Sequence, residues 1–295
     1  EGAARPGARD ARSQAPGPGR LATEPARRPM TVLDLLRHTS GFAGGHRGSA
    51  ALGEAYRRVG IAAFDHTESA YTTSSAELVS RLASLPLAHH PGTVWEYGRS
   101  GDVLGRLLEV VAGQRLDVLL RERVLGPLGM VDTGFHVPPE QAHRVVAPLA
   151  PFTPGDEIIT LVRPPRFLSG GSGCYGTVAD TLRLARVLLA GGTTPDGVEV
   201  FSKASIGEAT TDQLGQLYGT GPDYIPGAGY GFGFGLAVRR GPGPGADLWW
   251  LGRASTSFLV DARRDLVAIL FTQRYWSARN YEAWFRRAIY QAIVD

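Results

Sequence analysis

Lysine is almost absent from this chain. Among its 295 residues Lys203 is the sole lysine, and no serine is followed by lysine three positions on. Residues three or four apart share a helix face, so no helical serine here has a lysine one turn away to activate its hydroxyl. Cysteine is equally scarce: with Cys174 alone, an intramolecular disulfide and a Cys-rich metal site are both excluded. A single thiol is compatible with a reducing compartment such as the cytoplasm. No apolar run reaches the ~18 residues of a membrane span, and residues 1–30 lack the apolar core of a secretory signal. An excess of charge is lacking too. The formal net charge is +3, and the six arginines of residues 1–30, set against Glu1, Asp10 and Glu24, account for all of it. A polyanion-binding body needs a clustered basic face, so a nucleic-acid partner is not expected.

What is present is a chain with 43% hydrophobic residues, enough to bury a sizeable core as one large domain or two lobes. Residues 1–30 are rich in Ala, Arg, Gly and Pro and poor in large apolar side chains, which predicts a disordered or loosely packed segment. Order is expected from Thr31, where Thr31 and Asp34 have capping-box spacing and Gly41 is available as the left-handed stop. Further helices are predicted over 75–83, from Ser100 to Gly113 with Val103, Leu104, Leu107, Leu108 and Val111 on one face, and over 116–124. Another, opened by Thr177 and Asp180, ends at Gly191-Gly192. Residues 31–200 therefore read as a mainly helical region.

The period then changes. Residues 230–238 alternate glycine with aromatic or aliphatic residues, predicting one strand with a bare face on which a helix can sit. Residues 257–260 and 266–272 read as a strand pair about the turn 261–265, and 281–294 as a closing helix carrying Trp284, Phe285, Ala288, Ile289 and Ile293. Residues 201–295 are thus expected to form antiparallel sheet plus a C-terminal helix, and the whole an α+β fold.

Motifs for other chemistries are missing. Ser172 and Ser100 each have glycine two before them but not two after, so neither sits on a Gly-x-Ser-x-Gly elbow. The run Gly231 to Gly235 lies in an apolar alternating segment with no helix after it, unlike a dinucleotide fingerprint. His89 and His90 are adjacent in an extended turn and should point apart, which disfavours a metal site. Asp102 is placed to support a helix N-terminus through the macrodipole.

Several segments together resemble the β-lactamase-related serine hydrolases, which include class C β-lactamases, family VIII carboxylesterases and D-alanyl-D-alanine peptidases. They are Met30-Thr-Val-Leu-Asp-Leu-Leu-Arg-His-Thr-Ser-Gly41, Pro91-Gly-Thr-Val-Trp-Glu-Tyr-Gly-Arg-Ser100, Asp102-Val-Leu-Gly-Arg106, Pro127-Leu-Gly-Met-Val-Asp-Thr-Gly-Phe135, Ser169-Gly-Gly-Ser-Gly173 and Ser255-Thr-Ser-Phe-Leu-Val-Asp261. The resemblance covers residues 30–295 in the family's order. It implies a β-lactamase/transpeptidase-like fold, an acyl-enzyme mechanism on a small-molecule ester or amide, and no metal or organic cofactor. Tyr97 matches the tyrosine that serves as general base, with Arg99 standing where the family's Tyr-x-Asn element has its amide. Trp250-Leu251-Gly252 matches the Lys-Thr-Gly element, often Trp-Gly-Gly in the esterases, and Arg253 would give a backbone N–H to the oxyanion hole. Leu251 and Arg253 depart from the usual small residues. The implied substrate contacts are Trp250, Gly252, Arg99, Ser100 and Tyr230.

The family's nucleophile sits in Ser-x-x-Lys, which this sequence lacks. Residues 21–41 resemble the stretch that follows that helix, so the early strands and the central helix are expected to lie upstream of Glu1. The leading expectation is the larger C-terminal part of an esterase-like serine hydrolase. The rival is a pseudoenzyme that lost its nucleophile and binds ligands through an aromatic cleft around Tyr97, Tyr230 and Trp250. The sequence sets no oligomeric state.

Overall fold

The computed structural model describes residues 9–11, 21–44, 50–61, 69–147, 162–221, 224–241, 247–274 and 278–293. The chain divides into two compact units that interleave along the sequence. The first comprises Glu1–Gly113, Pro165–Gly171 and Leu214–Gly227, and the second Gln114–Pro164, Ser172–Gln213 and Ala228–Asp295. This differs from the expected division at residue 200. The reason is that the sheet takes one of its covering helices from before that point.

In the first unit, β1 (Arg9–Ala11) pairs antiparallel with β2 (Thr23–Pro25). Most of the expected disordered segment 1–30 lies outside the described residues. Its described part, 21–30, is tied down: Leu21 packs on the unit's core, and Arg28 makes two hydrogen bonds of 2.6 and 2.8 Å to the buried Asp34. Burial alone would raise the Asp34 carboxyl. Arg28, with Thr31 and Thr39, outweighs it and holds the group well below the usual carboxylate range.

Helix α1 (Val32–Leu36) opens with the anticipated capping box between Thr31 and Asp34. It ends differently from the expectation. His38, not Gly41, is the first residue after it in the left-handed region (φ 56°), and Asp34 accepts from the Thr39 hydroxyl at 3.0 Å to hold that corner. The remaining helices are α2 (Ala50–Arg58), α3 (Ser69–Thr72), α4 (Ser75–Ala83) and α5 (Ser100–Ala112). α2 has no strong start signal and was not anticipated, whereas α4 falls on its predicted span behind a Ser74/Glu77 capping box. The core joins Leu52, Tyr56 and Ile61 to Leu78, Leu82 and Phe167. Each such apolar side chain contributes ~1.5–3 kcal/mol when fully buried. The predicted apolar face of α5 is not all core, since Leu108 is 39% and Val111 77% exposed.

The second unit begins with α6 (Leu116–Leu120), which widens into a π-helical turn over Arg121–Leu125. α7 (Val178–Leu189), capped by Thr177, and α8 (Lys203–Ala209) precede a five-stranded antiparallel sheet. Its strands are β3 (Tyr230–Phe232), β4 (Ala237–Arg239), β5 (Leu248–Leu251), β6 (Ser257–Asp261) and β7 (Leu266–Leu270), in spatial order β3-β4-β5-β6-β7. α9 (Ala278–Ala292) closes the chain. Side chains alternate between sheet faces, and the register sorts them cleanly. Ala237, Trp249, Leu259 and Ala268 align across β4 to β7 and meet Phe285 of α9. Val238, Leu248, Val260 and Val267 align on the other face and meet Ala185 and Leu189 of α7.

Two expectations change here. Residues 230–238 form not one strand but a hairpin, because Gly235 adopts φ 80° and Gly233 N–H closes the turn onto Leu236 O at 2.9 Å. The bare face is used as anticipated: Phe234 N–H donates to Ala209 O at the end of α8, and a Cβ at Gly233 would collide with that carbonyl. On α9, Trp284 points outward at 63% exposure instead of joining the core.

Candidate active site

In the first unit the site is built from two strips of backbone laid side by side. After α1 the segment 38–41 runs against 88–96. Ala88 N–H donates to Gly41 O, Gly92 N–H to Thr39 O and Glu96 N–H to His38 O, at 2.9, 2.7 and 2.9 Å. Tyr97 follows directly, half-buried, with its ring 4.8 Å from that of His38 and 6.4 Å from that of Trp95. Gly98 then passes against residues 42–44 so closely that any Cβ would strike their backbone, which fixes the turn into α5. Trp95 and His38 are buried, so both rings that flank Tyr97 are themselves held.

Buried polar groups lock this loop. Burial pushes His38 down to about 4, so its imidazole is neutral at pH 7. Glu96 reaches His89 Nε2 with Oε2 at 3.4 Å, while His90 turns the other way, to Glu24 at 2.8 Å. The two histidines thus point apart as expected. Among the described residues no group of three His, Cys, Asp or Glu is arranged to hold a metal ion.

Arg99 and Ser100, expected to touch substrate, are instead interior. The Arg99 guanidinium donates to Asp102 at 3.1 Å with both side chains buried, and the Ser100 and Ser40 hydroxyls hydrogen bond at 2.7 Å. Asp102 is more than a dipole partner for α5. It also accepts from Ser169 Oγ at 2.5 Å and Gly171 N–H at 3.3 Å, drawing in the Gly-rich segment from 67 residues away. Tyr56, in the same interior, is pushed up to about 12 by burial.

A second remote segment arrives at Trp95. Trp95 N–H donates to Thr220 Oγ1 at 3.2 Å, and Gly221, with φ 101°, lies against the Trp95 carbonyl where no Cβ would fit. This segment brings Tyr224, edge-on to Trp95 at 5.1 Å, and Tyr218, edge-on to Tyr224 at 5.6 Å. Sequence reasoning missed these tyrosines. The only local signal was tyrosine interleaved with glycine over 218–221.

The remaining candidates lie in the second unit. Trp250 lies one residue before the end of β5, half-buried and edge-on to Phe232 at 5.1 Å. Gly252 and Arg253 fall beyond the strand, in a tight turn closed by Gly252 N–H to Thr256 O (2.8 Å) and Ser255 N–H to Gly252 O (3.1 Å). Arg253 is therefore a turn residue. Ser255 holds the left-handed conformation (φ 59°), a strained choice for a residue with a Cβ. Its hydroxyl donates to Arg274 O at 2.6 Å, and Thr272 Oγ1 donates to Ala254 O at 2.7 Å, so the turn is pinned from both sides. Tyr230 is buried beneath α9, edge-on to Trp249 with the Arg286 guanidinium 5.3 Å from its ring, and serves the core. Glu282 pairs with Arg286, yet burial pushes its carboxyl up to about 7.

The Beta-lactamase family profile matches residues 15–292. Protein Rv1367c of Mycobacterium tuberculosis is 37% identical over 198 residues, which is 65% of this chain and 46% of that protein. Esterase EstB of Burkholderia gladioli is 30% identical over 193 residues, 55% of this chain and 45% of that one. The chain thus spans about half the length of these relatives. Among solved structures, EstCE1, described as a hydrolase with promiscuous acyltransferase activity, superposes with a TM-score of 0.70 at 24% identity, over 90% of this chain and 73% of that one. That likeness is one of fold.

Proposed function

Because this chain belongs to the Beta-lactamase family, we propose that it is the larger part of an esterase-type serine hydrolase whose nucleophilic serine is encoded outside these 295 residues. Tyr97 is the general base, and the Arg253 backbone N–H is one oxyanion donor. The observation that carries this reading is Tyr97 itself, a half-buried phenol packed against two buried rings at 4.8 and 6.4 Å on a loop tied down at both ends. General-base catalysis needs that kind of fixed placement.

In this mechanism the serine hydroxyl attacks the ester carbonyl carbon while its proton passes to the Tyr97 phenolate oxygen. The oxyanion of the tetrahedral intermediate accepts from the Arg253 N–H. Collapse breaks the bond to the alcohol, which leaves with the proton from Tyr97, and water then cleaves the acyl-serine by the same sequence. An unperturbed tyrosine has a pKa near ~10, so only about one in ~1000 is phenolate at pH 7 without a nearby cation. The family resemblance implies that this cation is the lysine of a Ser-x-x-Lys; of the groups near Tyr97, His38 is neutral at pH 7 and Arg99 pairs with Asp102.

The substrate is a small-molecule ester or amide. Arg99 and Ser100 act by positioning the Tyr97 loop, and Trp250 and Gly252 shape the edge beside Arg253. The test is hydrolysis of a p-nitrophenyl ester by the native gene product and its Tyr97→Phe variant. Activity that collapses with the variant supports the assignment, and activity untouched by it overturns it. The absence of Ser-x-x-Lys together with Leu251 and Arg253 favours the second reading, a pseudoenzyme that binds ligands without turnover. A native product that binds ester analogues, carries no extra sequence and hydrolyses nothing would establish that reading instead.

A further inference from the structure

The tyrosines brought in by the 214–227 segment have no part in the mechanism above, yet they extend the ring cluster that holds its base. Tyr97 is 6.4 Å from Trp95, Trp95 5.1 Å from Tyr224, and Tyr224 5.6 Å from Tyr218. Trp95 is buried, whereas Tyr97, Tyr218 and Tyr224 are each half-buried and keep part of their rings open. The stretch 214–221 is held in place. Leu214 is buried, and Thr220 and Gly221 dock on the Trp95 backbone.

Resting on the hydrolase reading, we propose that Tyr218 and Tyr224 form a ring-selective subsite beside Tyr97, and that the substrate is a neutral ester carrying an aromatic group. Aromatic rings prefer edge-to-face or offset partners with centroids 4.5–7 Å apart. The last two contacts of the series are already edge-on, at interplanar angles of 69° and 79°, so a further ring meets tyrosine faces and edges in the geometry they already use. Charge argues in the same direction. Beside the loop the buried Arg99 is paired with the buried Asp102, the buried Glu96 is a carboxyl group, and His38 is neutral at pH 7. A carboxylate drawn into this cluster would be desolvated without compensation, which is strongly unfavourable.

The experiment measures binding, not turnover, so that it is independent of the nucleophile. The native gene product, labelled with ¹³C-tyrosine, is titrated with two unhydrolysable ester analogues, 4-phenylbutan-2-one and octan-2-one. The expected result is tighter binding of the phenyl ketone, with its largest shifts at Tyr218 and Tyr224. Tyr218→Leu should weaken the phenyl ketone roughly 2- to 10-fold, the range of one aromatic pair, and leave the aliphatic ketone unchanged. Tyr224→Leu should act likewise. Because Tyr224 also touches Trp95, circular dichroism of each variant is recorded, and Tyr218→Leu carries the test if Tyr224→Leu unfolds. Equal affinity for the two ketones, equal losses in Tyr218→Leu, or no response at either tyrosine would overturn the inference. Ring-selective binding by a native product that forms no acyl-enzyme would keep the subsite and sink the hydrolase reading. Hydrolysis of esters with no response of these tyrosines would do the reverse.

Discussion

Both units bury charged side chains, the second among them Asp180, Asp261 and Glu282, but they group them differently. The first places Asp34, His38, Glu96, Arg99, Ser100 and Asp102 in its interior, nearly all within or beside the loop that carries Tyr97. The second is a layered sheet whose faces are filled by Trp249, Leu259 and Ala237 on one side and Val238, Leu248 and Val260 on the other. Buried ion pairs are weak contributors to stability, since the desolvation they cost offsets their attraction. Apolar layers stabilise without specifying a single loop geometry. The contrast therefore separates two tasks: each unit draws stability from its own apolar core, and the polar cluster of the first also holds one side chain in place.

The largest expected effect tests the second task. Tyr97→Phe should reduce ester hydrolysis by the native gene product by ~10²–10⁴-fold, the usual range for a general acid–base group, with its melting temperature nearly unchanged. Next, single truncations should distinguish the units by mechanism. Asp102→Ala strands the buried Arg99 charge and should cost ~3–5 kcal/mol, whereas Asp102→Ala paired with Arg99→Met should recover much of it. Leu259→Ala, fully buried in the sheet, should cost ~2–5 kcal/mol through its cavity, with no partner change able to rescue it. Urea denaturation of each variant measures both. A double variant no better than Asp102→Ala would break the comparison.

The units should also differ in pH dependence, with opposite signs. His38 titrates near 4 when folded and near ~6.5 when unfolded, so between those values the unfolded chain binds the extra proton. Stability should rise with pH across that window, by at most about 3 kcal/mol, and His38→Gln should flatten the limb. Glu282 is raised from 4.5 to about 7, so there the folded form binds the proton and stability is lost as pH rises through that range. Glu282→Gln should remove this second limb and stabilise the protein at pH 8. Thermal melts from pH 4 to 8 of the two variants separate the limbs. The smallest effect is a surface control: Val111→Lys, at a position 77% exposed, should change stability by less than ~0.5 kcal/mol.

Legibility in the sequence followed the range of the interaction. Helices α1, α4, α5 and α7 were readable because caps and apolar spacing are local, and the family resemblance carried by segments such as 30–41 and 127–135 agrees with the Beta-lactamase match over 15–292. The hairpin at 230–239 was read as one strand because an alternating pattern does not announce which glycine will take positive φ. Ser100 looked accessible because nothing near it in sequence shows that Ser40 lies across from it, 60 residues away. Tyr218 and Tyr224 were invisible for the same reason, as the bond that docks their segment spans 125 residues.

The central claim, that Tyr97 serves a serine encoded outside these 295 residues, is tested most directly by the intact mass of the native gene product from its own cells. The account predicts a mass well above 31.5 kDa, with a Ser-x-x-Lys peptide in the additional sequence. A mass matching this chain would contradict it.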